Sequence, residues 1–246
     1  MIIGVLHLKP LPGSPRYSNF SEVIEHAVRS ARRLEEGGVS AILVENYGDS
    51  PYLKEVGKET VACMTAVIKE IQRETHIPVG VNVLRNDAIA SCAIAKAVGA
   101  EFIRVNQAAF PSAAPEGFLE PAAATLARYM RMIDLKAEVY ADINVKHAVH
   151  FAAIEDYLEN IERTFADALI VTGKKTGMAP DLTELKEIKE SVNIPVFAGS
   201  GVNPSNIARF AEYADGFIVG SYFKAGDEIS VEKVEKLCRL ARSLKR

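Results

Sequence analysis

The sequence has few cysteines, no long apolar run and no excess of basic residues, and each of these absences excludes a class of protein. The chain has an odd number of cysteines, and the three, Cys63, Cys92 and Cys238, are far apart in sequence. This arrangement predicts reduced, buried thiols instead of disulfides or a cysteine-bound metal. No apolar run is long enough to span a bilayer, and the first residues lack the basic segment of a signal peptide. The net charge of −3 argues against nucleic acid or a membrane surface as a partner. We therefore expect a soluble, cytoplasmic protein.

Apolar strand patterns alternate with helix patterns eight times along the 246 residues. The predicted strands are 2–6, 40–45, 78–84, 101–106, 137–143, 168–172, 194–198 and 216–219. The predicted helices are 19–36, 57–74, 86–99, one ending at 133, 153–165, 181–191, one starting at 203, and 230–246. The segments that lead into strands are short, whereas several of those that follow strands are long. The chain also repeats itself loosely, since IPVGVNV at Ile77 resembles IPVFAGSGV at Ile194. These features predict an α/β fold: a single (β/α)8 TIM barrel over residues 1–246, with its site at the carboxyl ends of the strands.

Two glycine-containing turns follow predicted strands 7 and 8, where (β/α)8 barrels often bind phosphate. Bare backbone N–H groups and a helix beginning at Asn203-Pro204-Ser205 would favour an anion there. The segment TGKKTG (172–177), which follows strand 6, would extend the site, although it is not a Walker loop and could instead be a solvated loop. The predicted phosphate-binding residues are Gly173, Gly199, Ser200, Gly201, Gly220 and Ser221. Gly201→Asp is expected to place a carboxylate in the anion site.

Polar residues stand at the ends of the first six predicted strands. Period-two alternation directs Arg104 into the barrel, where an unpaired charge would be costly, so Glu45 and Asp142 are its expected partners. The alternative is a purely structural ion pair that closes the top of the core. The predicted substrate-binding residues are His7, Asn82, Arg104, Asn106 and Thr172.

Lys146 and His147 follow strand 5 and add groups that can exchange protons. Both could instead be solvated loop residues, or Lys146 could only screen an anionic substrate. The predicted catalytic residues are Glu45, Asp142, Lys146 and His147. A divalent metal ion could be bound by His7, Glu45, Asp142 and His147. No metal-binding motif is present in their spacing, so no cofactor or metal ligand is assigned.

Six ordered blocks of sequence resemble the BtpA family. They are VENYGDSPY from Val44, GVNVLRNDA from Gly80, FIRVN from Phe102, ADINVKHA from Ala141, ALIVTGKKTG from Ala168, and the stretch 199–221. The resemblance implies a ribulose-phosphate-binding-type barrel in a family that takes its name from a role in photosystem I accumulation. The loop 107–117 departs from the family pattern.

Two functions of different classes follow from these features. The first is an enzyme that acts on a small phosphorylated metabolite, a sugar phosphate or nucleotide-like compound, by isomerase, lyase or N-glycosidic chemistry. The second is a non-catalytic binding or assembly factor that retains the phosphate pocket. Acid, base and amide side chains at five strand ends favour the enzyme. Homo-oligomer formation is left open.

Overall fold

Eight parallel strands close into a barrel in a computed structural model, which describes residues 1–173 and 175–244. Lys174, one of the two lysines in the predicted anion loop, lies outside the described residues. The strands are β1 (Ile2–His7), β2 (Ala41–Glu45), β3 (Val79–Asn82), β4 (Phe102–Val105), β5 (Glu138–Ile143), β6 (Ala168–Thr172), β7 (Val196–Gly199) and β8 (Gly216–Val219). The predicted TIM barrel is therefore confirmed, and β8 pairs with β1 to complete it.

One helix follows each strand on the outside of the barrel. The helices are α1 (Phe20–Glu36), α2 (Lys58–Glu74), α3 (Ala88–Val98), α4 (Ala123–Met132), α5 (Ile154–Glu159), α6 (Leu182–Ser191), α7 (Ile207–Phe210) and α8 (Val231–Leu244). Side chains cap the starts of α1 and α3, where Asn19 accepts a hydrogen bond from the Ser21 N–H and Asp87 accepts one from the Ala90 N–H.

The interior of the barrel has an aromatic layer on the amino-terminal side and a charged layer above it. The Tyr140 ring stacks between those of Phe102 and Phe197, with centroid distances of 4.8 and 5.2 Å. A Cβ on Gly80 would lie 2.2 Å from the Phe102 ring, so the absence of a side chain there makes room for this layer. Two residues further along β4, the same inward face carries Arg104. The opposite, apolar faces of β4 and β5 pack in the outer core beneath the helices, as the alternation predicts.

The loop after β4 contains secondary structure that the sequence did not predict. Its two short strands, Ser112–Ala114 and Gly117–Leu119, pair antiparallel, and Ser112–Ala114 also pairs with Val149–His150. We call these three strands the mouth sheet. His150 lies in this sheet, where its Nε2 is 2.9 Å from the Val145 carbonyl oxygen. The pairing joins loops far apart in the chain, so no local pattern indicates it.

Two helices near the site are shorter than predicted. The helix expected over 153–165 divides at Asn160 into α5 and a 3₁₀ turn, Ile161–Thr164. The helix expected to start at Asn203 contains only the four residues of α7, because turns occupy residues 203–206 and the Asn203 side chain accepts the Ser205 N–H. The predicted helix N-terminus at the anion site is thus replaced by a turn.

Within residues 1–173 and 175–244, no helix is both long and apolar enough to traverse a bilayer. That residues 1–246 form a single domain stays a prediction.

Candidate functional site

A polar cavity of about 260 Å³ opens at the carboxyl ends of the strands. Its wall receives side chains or backbone from all eight strands or the loops that follow them. The lining residues are Val5, His7, Glu45, Tyr47, Ser50, Tyr52, Leu84, Arg85, Arg104, Asn106, Lys146, His147, Thr172, Thr176, Gly199, Ser200, Ile218, Gly220 and Ser221. The cavity therefore brings most of the predicted site residues together.

Arg104 is the centre of a buried ion cluster at the floor of this cavity. Its Nη1 donates to Glu45 Oε1 at 2.9 Å, and its Nη2 donates to Asp142 Oδ1 at 3.0 Å. Burial opposes the charge on Arg104, but Asp142 and Glu45 raise the pKa of its guanidinium above the usual value. The predicted pairing is present, and Arg104 is held as a cation at a defined depth.

Asp142 and Asn82 lie beneath the cavity and do not line it. The Asp142 side chain has no exposed surface, and Oδ2 also accepts a hydrogen bond of 2.6 Å from the Asn106 amide. Asn82 donates to Asn106 Oδ1 at 3.1 Å. Asp142 was expected to transfer protons, but its oxygens are engaged and shielded from ligand, so its position suits holding Arg104 and Asn106 in place. Asn82, expected to bind substrate, supports Asn106.

Four of the six predicted phosphate-binding residues, Gly199, Ser200, Gly220 and Ser221, line the cavity. Gly199 lies beside Thr172 in the register of β7 with β6, and Gly220 would place a Cβ 3.3 Å from the His7 ring. These backbone segments therefore lie next to the polar side chains at the ends of β1 and β6.

Gly173 and Gly201 do not line the cavity. A Cβ on Gly201 would lie 2.3 Å from the Ala179 nitrogen, and one on Gly173 would lie 2.4 Å from the Met178 oxygen. Gly173 thus permits the loop after β6 to fold back closely on itself, and Gly201 permits that loop to pack against the turn after β7. Gly201 also has a φ of 60°, in the left-handed region. The premise that a side chain at position 201 would point into the anion site is wrong.

One side of the cavity is formed by Arg85, Lys146 and His147. Arg85 is buried, its guanidinium donates to the Lys146 carbonyl oxygen, and its Nε lies 3.5 Å from Glu116 Oε2. His147 Nε2 lies 3.0 Å from Thr176 Oγ1 and accepts the Thr176 N–H at 3.3 Å. Burial, followed by the charges of Arg85 and Lys146, lowers the pKa of His147, which favours the neutral imidazole.

His7 lies between the ion cluster and an aromatic ring. It stacks on Tyr47 with a centroid distance of 4.2 Å, and its Nε2 lies 3.6 Å from Glu45 Oε2. Burial, with the charges of Lys224, Lys146 and Arg104, lowers the pKa of His7 to about 3. His7 is therefore neutral near pH 7, and its buried Nδ1 has no hydrogen-bond partner among the described residues.

The depressed pKa of His7 predicts a pH-dependent stability. Between about pH 6.5 and 3 the histidine of the unfolded chain binds a proton and native His7 does not, so the free energy of unfolding falls as the pH is lowered. The contribution of this residue is at most about 1.4 kcal/mol per pH unit. We expect His7→Gln, measured by urea unfolding, to show a shallower loss between pH 6 and 4 than the wild type. Equal slopes would contradict the assignment.

The four residues considered for a metal ion do not form a ligand set. Glu45 and Asp142 bind Arg104, and His147 contacts Thr176. Within the described part of the chain, no three histidine, cysteine or acidic side chains form a group that could hold a metal ion.

Eight of the lining residues are absent from the predicted site, and the largest polar ones among them are Tyr47, Tyr52 and Arg85. Both tyrosines belong to the block VENYGDSPY directly after strand 2, so their place after a strand end was the available signal. Arg85 follows strand 3, but its direction depends on Glu116 in the loop after β4, to which no sequence pattern links it.

The fold and the cavity define the class of this protein as a TIM barrel with a polar pocket at the carboxyl ends of its strands. A solved structure of thiamine phosphate pyrophosphorylase from Pyrococcus furiosus has the same fold, with a TM-score of 0.63, 19% identity and coverage of 99% of this chain and 95% of that one. The chain belongs to the BtpA family, whose model matches residues 1–243.

The relatives of this chain include an archaeal and a cyanobacterial protein. A protein of Archaeoglobus fulgidus is 54% identical over 241 residues, which cover 98% of each chain. The photosystem I biogenesis protein BtpA of Synechocystis is 40% identical over 235 residues, which cover 93% of this chain and 82% of the relative. The resemblance found in the six sequence blocks is therefore confirmed.

Proposed function

We propose that this protein is an enzyme that acts on a small phosphorylated metabolite, a sugar phosphate or nucleotide-like compound, by acid–base chemistry. The observation that carries the proposal is a single cavity in which the turns after β7 and β8 face Glu45 and Lys146. The buried Nδ1 of His7 and Oγ1 of Thr172 lack hydrogen-bond partners among the described residues, which suits polar contacts with a ligand.

The phosphate would bind at the turns after β7 and β8. Backbone N–H groups near Gly199, Ser200 and Gly220, together with the Ser221 hydroxyl, supply the donors that a phosphate needs. The structural neighbour is itself named for a phosphorylated compound. This support concerns the fold alone, because barrels of this type catalyse many different reactions.

Proton transfer would take place at the other side of the cavity. Glu45 binds Arg104 through Oε1, which leaves Oε2 directed towards His7 at the cavity wall. His147, with its pKa lowered, could accept a proton near neutral pH. Asp142 and Asn106 would position Arg104 without exchanging protons with the substrate.

A second candidate is a non-catalytic binding or assembly factor. The mouth sheet exposes Phe118 and Val149 at 52 and 67% of their surface, and Phe151, directly after it, is exposed at 60%. The two phenylalanine rings stack with centroids 5.3 Å apart. Clustered exposed apolar side chains are typical of interaction surfaces. The relative from Synechocystis is named for photosystem I biogenesis. Whether the chain forms a homo-oligomer stays a prediction.

The proposal predicts that phosphorylated ligands stabilise the protein through the turn after β8. We expect ribose 5-phosphate or AMP to raise the melting temperature in proportion to the logarithm of its concentration, and ribose to have no effect. Ser221→Glu should weaken this binding by at least about tenfold, because a carboxylate would face the phosphate. Ser243→Glu adds the same charge on exposed α8, away from the cavity, and should bind as the wild type. Compounds that bind are then assayed for turnover by ³¹P NMR.

If neither inorganic phosphate nor any phosphate ester stabilises the wild type, the proposed enzyme is refuted at its binding step. Binding without turnover across sugar phosphates and nucleotides would favour the assembly factor.

A further inference from the structure

Lys146 is anchored at its backbone and reaches the cavity with its side chain. It follows β5 and stands between Asn144 and His147, whose φ angles of 54° and 60° lie in the left-handed region. The Arg85 guanidinium donates to the Lys146 carbonyl oxygen, which fixes the chain at this point. The side chain is half-buried and lines the cavity.

The Lys146 amine has no ion-pair or hydrogen-bond partner in the parts of the chain that the structure describes. Glu45 and Asp142, the acids nearest in the fold, use three of their four oxygens on Arg104 or Asn106. Burial is the largest influence that lowers the pKa of Lys146, and Arg104 lowers it further. An amine in such surroundings is neutral more often than an exposed lysine and can act as a nucleophile.

Its place in the cavity is separate from the proposed phosphate donors. Those donors follow β7 and β8, whereas Lys146 follows β5 and lines the same cavity as Glu45, whose charge acts on it. A ligand whose phosphate lies at the turns would therefore present a different part of its skeleton to Lys146. A carbonyl group at that part would meet a nitrogen nucleophile next to a carboxylate.

We propose that Lys146 forms an imine with the carbonyl carbon of a phosphorylated aldehyde or ketone in this cavity. This inference rests on the proposed function and specifies its substrate class. It also changes the role of Lys146 from proton transfer to covalent catalysis.

The step balances without any other reactant. The neutral amine attacks the carbonyl carbon, an N–C bond forms, and the C=O π electrons move to oxygen to give a carbinolamine. The C–O bond then breaks and water leaves. Two of the three protons of the starting ammonium depart with that oxygen, and the positive charge stays on the iminium nitrogen. Glu45 Oε2, which lies 3.6 Å from His7 Nε2 and is not engaged by Arg104, can relay those protons.

Borohydride reduction tests the imine directly, because it converts the iminium into a stable secondary amine. The full-length protein is incubated at pH 7 with dihydroxyacetone phosphate or dihydroxyacetone, reduced, digested and mapped by mass spectrometry. We expect most of the adduct on Lys146, since burial lowers the pKa of its amine and so leaves a larger fraction neutral than in an exposed lysine. The phosphorylated probe should react faster than its unphosphorylated counterpart.

Lys146→Arg keeps the positive charge and cannot form an imine, so it should lose the adduct and keep the thermal stabilisation by dihydroxyacetone phosphate. Lys189→Arg makes the same change at a lysine that binds Asp215 outside the cavity, and it should react as the wild type. No adduct, or one spread over surface lysines without preference for Lys146, would overturn the inference.

The outcomes separate the two proposals. Thermal stabilisation by the phosphorylated probe without an adduct on Lys146 would refute the imine and leave the phosphorylated-ligand enzyme standing. An adduct on Lys146 that forms equally well with both probes, without thermal stabilisation by any phosphate ester, would support the imine and refute the phosphate site.

Discussion

Arg104→Met lowers the free energy of unfolding by about 3–5 kcal/mol in urea denaturation at pH 7, the loss expected when one partner of a buried ion cluster is removed. The substitution leaves the carboxylates of Glu45 and Asp142 in a buried layer without the guanidinium that binds both at 2.9 and 3.0 Å. Methionine fills a similar length of side chain, so the loss of charge is the main change. Asn106 still donates to Asp142, but one amide hydrogen bond does not neutralise a carboxylate.

Two variants separate this effect from a general sensitivity to arginine removal. Arg73→Met breaks an exposed pair with Glu70, for which we expect a loss below about 1 kcal/mol. Adding Glu45→Gln and Asp142→Asn to Arg104→Met removes the buried charges, so the triple variant should be more stable than the single one. A loss for Arg104→Met no larger than for Arg73→Met would show that the cluster does not stabilise the fold.

Gly201→Ala is expected to lower the free energy of unfolding by about 2–5 kcal/mol, a sum of left-handed backbone strain and overpacking. The φ of 60° at Gly201 disfavours any side chain, and a Cβ at this position would lie 2.3 Å from the Ala179 nitrogen. The loop after β6 must then move, and with it Thr176, which lines the cavity and contacts His147. Ligand stabilisation should decrease together with the stability of the protein.

Gly226→Ala is the matched control for the backbone cost alone. Gly226 has a φ of 64°, and no atom lies within 4 Å of a Cβ built there, so we expect a loss of about 1–2 kcal/mol. The difference between the two variants measures the collision with the loop. If Gly201→Asp abolished ligand binding while Gly201→Ala had no effect on stability or binding, the packing role of Gly201 would be wrong and the electrostatic one restored.

The ion cluster shows which site contacts can be read from a strand pattern. Alternation along β4 directs Arg104 inward, and the carboxyl ends of parallel strands meet at one end of a barrel, so Glu45 and Asp142 are the acids within reach. The depth of each side chain could not be read in this way. Asp142 pairs in register with Ile170, below the cavity, and the stagger of the strands decides which polar layer meets the ligand.

The turns after β7 and β8, by contrast, make contacts that a strand pattern does not indicate. Glycines after strands 7 and 8 indicate an unusual backbone, and Gly201 and Gly220 are at those turns. Which atoms a missing side chain would meet depends on the loop after β6, which is distant in sequence from Gly201. Pairing of the mouth sheet and the contact of Arg85 with Glu116 are non-local in the same sense.

The amino-acid sequence by itself determined the (β/α)8 architecture, the inward direction of Arg104 and the family, because hydrophobic periodicity and strand-end residues are local properties. The tertiary structure alone decided which polar residues line the cavity, which lie beneath it, and that the Lys146 amine lacks an acidic partner within residues 1–173 and 175–244. Those features depend on register, burial and loop packing, which bring together atoms separated by tens of residues and are set only when the barrel closes.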